Sequence, residues 1–334
     1  MMRLRRAVLC TAAMTFVALT AACGAKDSQV IFADPWSAPG HWYRGQLHLH
    51  TTKSDGRLAP EAALKYYHDR GYSFVSVTDH GTITQVPERP FPDFITLPGL
   101  ELNFGRSEHA RDFHLNGIGV KALPAHEGRT VQQVIDELRA QGAFVMLNHP
   151  YWSSLTFTDV AGLHNYHALE VQNWGSEIEA GVGYGMAWWD DGLLRGERIR
   201  AVATDDSHNY ISDANGAWVV VKALELSPSA ILEALKEGRY YSSEGPDIKH
   251  AAITGSTLTV TCSPARRIVL RERGGFGQVH AAENKRGLTK ASFDLSGEMK
   301  RAADSGWGVA RIEIIALDGK HAWSNPLWFE RPVP

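Results

Sequence analysis

The stretch QLHLHTTKSDG, residues 46–56, sets His48 and His50 two positions apart, with Asp55 just beyond a polar turn. Successive side chains of a strand alternate between its faces, so both imidazoles fall on one face. Two imidazoles on one apolar-flanked face are either a satisfied polar pair or one wall of a metal site. The surrounding chain decides between them.

Outward from this stretch, short apolar runs alternate with helical segments from residue 42 to about 223. LAPEAALKYYHDRG places Pro60 at a helix start and Gly71 past its end, and Thr130 stands as a cap before VQQVIDELRAQG. Between and after them, GQLHLH, YSFVSVTDH, FITLPGLELN, FHLNGIGV, AFVMLNHP, ALEVQN and RIRAVATDDSH read as strands. This βαβα rhythm predicts a parallel α/β domain. Polar residues recur at the C-terminal ends of the runs: His50, Asp79 and His80, Glu101, His149, Asn173, and Asp206 with His208. In a closed α/β barrel that edge gathers residues from many strands into one site.

After GAWVVVKA, Ser227 and Pro228 open a helix that looks like the last of this domain. From about residue 248 the chain turns to alternating strands and Gly-rich turns, which predicts a small C-terminal β-sandwich. The expected division is a leader at 1–25, a catalytic domain at 26–247 and the sandwich at 248–334. No internal repeat or low-complexity linker interrupts it.

With 44% hydrophobic and 21% charged residues, the chain has the composition of a globular protein able to bury a sizeable core. Its formal charge is −3 and no basic cluster lies beyond the extreme N-terminus, which argues against nucleic acid as a bound partner. That N-terminus carries Arg3, Arg5 and Arg6 before an uncharged run from Ala7 to Ala25, the pattern of an export signal. LTAAC, ending at Cys23, resembles a bacterial lipobox with Thr20 where Leu is usual. A periplasmic, lipid-anchored protein of the cell envelope is expected, with simple secretion as the alternative. Removing the three arginines brings the charge to about −6. Of three cysteines, Cys10 and Cys23 lie in the leader, and Cys262 sits in the alternating TLTVTCS, as a small buried apolar residue would.

Six of the fifteen histidines, His48, His50, His80, His114, His149 and His208, fall at or near strand ends with Asp55, Glu101 and Asp206. Imidazole and carboxylate without thiolate suit Zn²⁺, Mn²⁺ or Fe²⁺. In order and spacing, LHLHTTKSDG, VTDHG, GLELN, FHLNGIGV, LNHPYW and TDDSH resemble the motifs of the PHP (polymerase and histidinol phosphatase) metallohydrolases over residues 42–210. ILEALKEGRYYSSEGP and ARIEIIALDGKHAWSNPLWF further resemble the exported CehA/McbA-type branch, named for carbaryl hydrolases.

The resemblance implies a distorted (βα)7 barrel holding two or three divalent ions. His48, His50, Glu101 and Asp206 would hold the first ion. Glu101 would bridge to a second, held with His114 and His149. Asp55, His80 and His208 would hold a third. Asp79 and Asp205 are expected to orient imidazoles. A metal-bridging hydroxide would attack the substrate, since a metal lowers the pKa of its water from about 15.7 to about 7. No side-chain nucleophile is needed, and no GxSxG motif is present.

Arg106, His109 and Arg111 are candidate contacts for a substrate phosphate, and Tyr151, Trp152, Asn173 and Trp174 for the rest of the substrate; a solvated loop and rim packing are the alternatives. The remaining histidines, His167 among them, read as surface or packing residues. The function implied is a phosphoesterase for small phosphomonoesters or phosphodiesters. Alternatives are a carbamate, ester or amide hydrolase of the carbaryl-hydrolase type, or a non-catalytic metal- or ligand-binding lipoprotein.

Overall fold

The structure is a computed structural model describing residues 29–31 and 34–331. The expected leader, with Cys10 and the candidate lipidation site Cys23, lies outside the described residues. No described helix is long and apolar enough to cross a membrane. The fold is mixed α/β, with one large sheet and seven α-helices among the described residues.

In chain order the first part contains β1 (Gln29–Ile31), β2 (His41–Gln46), α1 (Pro60–His68), β3 (Phe74–Val77), β4 (Ile95–Phe104), β5 (Phe113–Ile118), α2 (Val131–Ala140) and β6 (Phe144–Leu147). There follow α3 (Phe157–Ala161), β7 (Ala168–Asn173), α4 (Trp174–Ala180), α5 (Met186–Leu194), β8 (Arg200–Thr204), β9 (Trp218–Ala223), α6 (Pro228–Glu237) and β10 (Tyr240–Ser243). Helix starts follow local chemistry. Pro60 opens α1, where a missing N–H costs nothing. Thr130 and Gln133 cap each other reciprocally at α2, and the Ser227 side chain accepts the Ala230 N–H at α6.

Strands β2 to β8 pair in sequence order: β2 with β3, β3 with β4, β6 with β7 and β7 with β8 in parallel, but β4 with β5 and β5 with β6 antiparallel. The two ends of this series are stitched together. Asp206 N–H donates to the His48 carbonyl and His50 N–H to the Ser207 carbonyl, both at 2.9 Å. The expected all-parallel rhythm is therefore broken at β4 and β5, which a loop joins with no helix between them.

The expected strand GQLHLH is also shorter than its alternation suggests, because β2 ends at Gln46. The Gln46 side-chain oxygen accepts the N–H groups of Leu47, His48 and Asp205, and its amide donates to the Ala217 carbonyl. A buried side chain thus replaces the neighbouring strand for two residues. Leu49 then rejoins the sheet through a bridge to Ser207.

The C-terminal part comprises β11 (Ile248–Thr254), β12 (Thr257–Glu272), β13 (Gly277–Ala281), β14 (Leu288–Asp294), α7 (Ser296–Ser305), β15 (Trp307–Ala316), β16 (His321–Ser324) and β17 (Leu327–Glu330). All its pairings are antiparallel. TLTVTCS and the RRIVLRE that follows Pro264 and Ala265 belong to one long strand, β12, whose register shifts around Pro264. Cys262 on this strand is buried, and burial pushes its thiol up to about 11. Helix α7 was not expected from the β-like composition. Hydrogen bonding between the two parts is continuous, since β10 pairs with β9 on one side and β16 on the other.

Candidate metal centre

Glu101, on β4 and 1% exposed, stands between two sets of imidazoles. Its Oε2 lies 3.1 Å from His48 Nε2, 3.1 Å from His50 Nε2 and 3.3 Å from His80 Nδ1. Its Oε1 lies 3.0 Å from His114 Nδ1 and 3.4 Å from His149 Nε2. Asp206 Oδ1 adds a second carboxylate to the first set, 3.1 Å from His48 Nε2 and 3.0 Å from His50 Nε2. Asp206 takes a left-handed backbone, φ 54°, one an aspartate tolerates better than most residues.

Three groups of candidate ligand atoms emerge: His48, His50, Glu101 and Asp206; His80, Glu101 and His114; and His50, Asp55, His80 and His208. The first coincides with the first-ion set implied by the sequence. In the second, His80 joins Glu101 and His114, while His149 stands slightly further off, 3.9 Å from Asp206 Oδ2. The third is the open rim. Asp55 there is 55% exposed and lies 3.5 to 3.6 Å from the nitrogens of His50, His80 and His208.

The donor set fits divalent cations. Glu170, buried on β7, accepts from His48 Nδ1 at 3.0 Å, so the Nε2 of a neutral His48 carries a lone pair. That lone pair faces two carboxylate oxygens, and only a proton or a cation between them removes the repulsion. His50 Nε2, His80 Nδ1 and Asp206 Oδ1 are likewise buried and make no hydrogen bond of acceptable geometry. Burial pulls the His48 imidazole down, yet Asp206, Glu101 and Glu170 outweigh it and hold the group well above its usual value. His50 behaves alike, rising to about 9 against burial through Asp206 and Glu101. Burial pushes Glu101 and Asp206 up, but the facing imidazoles hold both well below the carboxylate range.

Glu170 was not singled out from sequence. It also accepts from His149 N–H at 2.7 Å, Asn173 Nδ2 at 2.8 Å and the Thr204 hydroxyl. Its only sequence signal is a lone carboxylate inside the apolar run ALEVQN. Asn148, equally unexpected, donates to Glu101 Oε1 at 2.8 Å. The roles expected of Asp79 and Asp205 differ from those observed. Asp79 accepts from Thr51 N–H, Thr51 Oγ1, Ser54 Oγ and Thr84 Oγ1. Asp205 accepts from Tyr67 and the backbone of Asn215, Gly216 and Ala217, and burial pushes it up to about 6. Each carboxylate ties down largely buried turn donors, and neither hydrogen-bonds an imidazole directly; Asp79 reaches His50 only through Ser54, whose Oγ lies 3.4 Å from His50 Nδ1.

The substrate candidates separate in the same way. Asn173 donates to Asp206 Oδ2 at 3.0 Å and to Glu170, so it buttresses ligands. Trp174 is tied to the Ser212 carbonyl and lies against Gly216, and Tyr151 packs on Trp188. Arg106 turns onto its own loop, donating to Ala110 O and pairing with Asp112. His109 is exposed and does not line the cavity. A cavity of about 190 Å³ beside His114 is lined by Arg106, Arg111, Asp112, Trp152 and Ser153 among others. In it Arg111 presents a guanidinium with no acidic partner among the described residues, 5.9 Å from the Trp152 ring. Trp152 in turn stands edge-on to His114 and His149.

No protein-family model and no curated protein sequence matches the chain. Among solved structures it is similar to a two-domain protein from Bacteroides vulgatus containing a predicted PHP-like metal-dependent phosphoesterase. That likeness is 17% identical, spans 91% of this chain and 100% of that one, and has a TM-score of 0.47. It is also similar to an amidohydrolase from Chromobacterium violaceum with bound sulfate and no metal, at 11% identity, 51% and 89% coverage and a TM-score of 0.37.

Proposed function

We propose that the chain is a metal-dependent phosphoesterase of the PHP type, built on a distorted (βα)7 barrel and acting on small phosphomonoesters or phosphodiesters in the cell envelope. The observation carrying this reading is Glu101, one buried carboxylate whose two oxygens face separate imidazole sets. His48, His50 and Asp206 would hold one ion, His114 and His149 another, with Glu101 between them; Asp55, His80 and His208 would hold a third at the rim. When bound, such ions supply Lewis acidity and a nucleophile from water near neutral pH.

The chain's own residues then position and neutralise, which is most of what phosphoryl transfer requires. Glu170 fixes the His48 tautomer, while Asn148 and Asn173 hold the carboxylates of Glu101 and Asp206 in place. Arg111 offers a bidentate partner for a phosphate, and Trp152 an apolar wall. Hydrolysis of a carbamate, ester or amide is the second reading, supported by the sequence resemblance of residues 231–246 and 310–329 to the CehA/McbA-type branch.

The test pairs metal analysis with turnover. Wild-type protein is expected to carry metal and to cleave p-nitrophenyl phosphate or its bis ester, and Glu101→Gln to lose both. Removing roughly 4 kcal/mol of metal-derived stabilisation corresponds to about a thousandfold in rate. Release of 1-naphthol from a naphthyl carbamate without phosphate ester cleavage selects the second reading. Metal without any turnover leaves a binding protein. Export and lipid anchoring rest on residues 1–25, and Cys23→Ala is expected to release the protein from membranes.

A further inference from the structure

Glu170 and Asn173 both reach the metal centre, although they stand three residues apart on β7. In a regular strand, residues three apart point to opposite faces. The register of β7 against β8 shifts between Glu170 and Gln172, and this extra residue turns Asn173 back to the side of Glu170. Gln172 then points the other way, out of the site and toward the junction with the C-terminal part.

There its Nε2 donates to Glu244 Oε1 at 2.7 Å, in the segment between β10 and β11. Both side chains are buried. The Gln172 Oε1 is buried without a partner, so Glu244 alone holds this amide among the described residues. Glu244 is fixed in turn by other elements. Tyr184, bridged to Gln172 through the backbone, donates its hydroxyl to Oε1 at 2.9 Å. Oε2 accepts the His321 N–H at 2.8 Å, and the Glu244 N–H donates to the His321 carbonyl on β16. Burying a carboxylate carries a desolvation penalty that an apolar contact between the two parts would avoid. A carboxylate with three donors instead fixes a direction.

We propose that Glu244 is a positioning residue for the metal centre. Acting through Gln172, it fixes the β7 bulge and with it the aim of Glu170 at His48 and of Asn173 at Asp206. The inference rests on the reading of that cluster as a metal site.

The test titrates chelated full-length protein with Co²⁺ and follows its visible absorption, which reports coordination independently of turnover. Gln172→Met keeps the side-chain length and removes both the hydrogen bond and the unpaired Oε1, so the fold is retained. Its Co²⁺ Kd is expected to rise about tenfold, the lower end of the loss when the partner of a liganding group is removed. Glu244→Ala should lose at least as much. In an Asn173→Ser background, where the serine can still cap α4 but is too short to reach Asp206, Gln172→Met should cost less than tenfold, because part of what it positions is gone. Glu298→Gln, at a buried carboxylate elsewhere in the C-terminal part, should leave the Kd unchanged. An unchanged Kd in Gln172→Met overturns the proposal and leaves the metal site standing. So does a full tenfold loss in the Asn173→Ser background, or an equal loss in Glu298→Gln, which would mark general loosening. Wild-type protein that takes up no Co²⁺ overturns the metal reading itself and this inference with it.

Discussion

At the C-terminal ends of the parallel strands His48 turns a lone pair toward two carboxylates, whereas at the N-terminal end of β7 His167 turns an N–H toward a guanidinium. Each histidine has its other nitrogen fixed by a buried partner, Glu170 in one case and the Val145 amide in the other. The fixed side leaves the free side no choice of tautomer. One end of the strand set therefore suits a cation, whereas the other surrounds its imidazole with Arg139, Arg200 and Lys236. The difference teaches that a histidine's role here follows from what pins its far nitrogen.

The strongest way to break this comparison is to unpin His48. Glu170→Gln keeps the shape but sets its amide hydrogens against two donors, either His48 Nδ1 with the Thr204 hydroxyl or the His149 N–H with Asn173 Nδ2, and it removes the charge that holds the His48 tautomer. Metal affinity or activity should fall by about 10- to 100-fold, as is usual when the partner of a liganding imidazole is removed. Circular dichroism should show the fold retained. A Glu170→Gln protein with full metal content and turnover would mean that the tautomer is set elsewhere.

Much of this was legible in the sequence, but not the pins. The ligand candidates stand out because polar residues at the ends of apolar runs have no other reason to recur, and Thr130, Pro60 and Ser227 announce their helices by capping chemistry. Glu170 was not legible because β7 is buried on both faces, so alternation within ALEVQN does not say which side holds a site and which holds core. His167 was hidden for a related reason. Its surroundings, Arg139, Arg200 and Lys236, come from three different elements and share no spacing.

The two ends should also differ in how they answer to pH. In metal-free protein His50 titrates near 9 when folded and near 6.5 when unfolded, and His48 is raised in the same sense. Their contribution to stability is complete below 6.5 and disappears as pH rises through 9. The Tm of chelated protein should accordingly fall across that window, while metal-loaded protein stays level because the cation replaces the protons. Metal uptake at pH 7 should release about one proton or more, read by calorimetry in buffers of different ionisation enthalpy. Uptake without proton release would show that these imidazoles were already neutral.

The smallest effect belongs to His167, and its sign is opposite. Its folded value near 3 lies below the unfolded 6.5, so the neutral ring supports the fold above 6.5 and that support fades as pH falls toward 3. Unfolded carboxylates titrate mostly below 4.5, which leaves pH 6.5 to 4.5 as a window where His167 stands out. Over that window the Tm of His167→Gln, whose side-chain oxygen can still accept the Val145 amide, should fall less steeply than that of wild type. Parallel slopes would mean that acid reaches the fold through other groups and that the two ends are not electrostatic opposites.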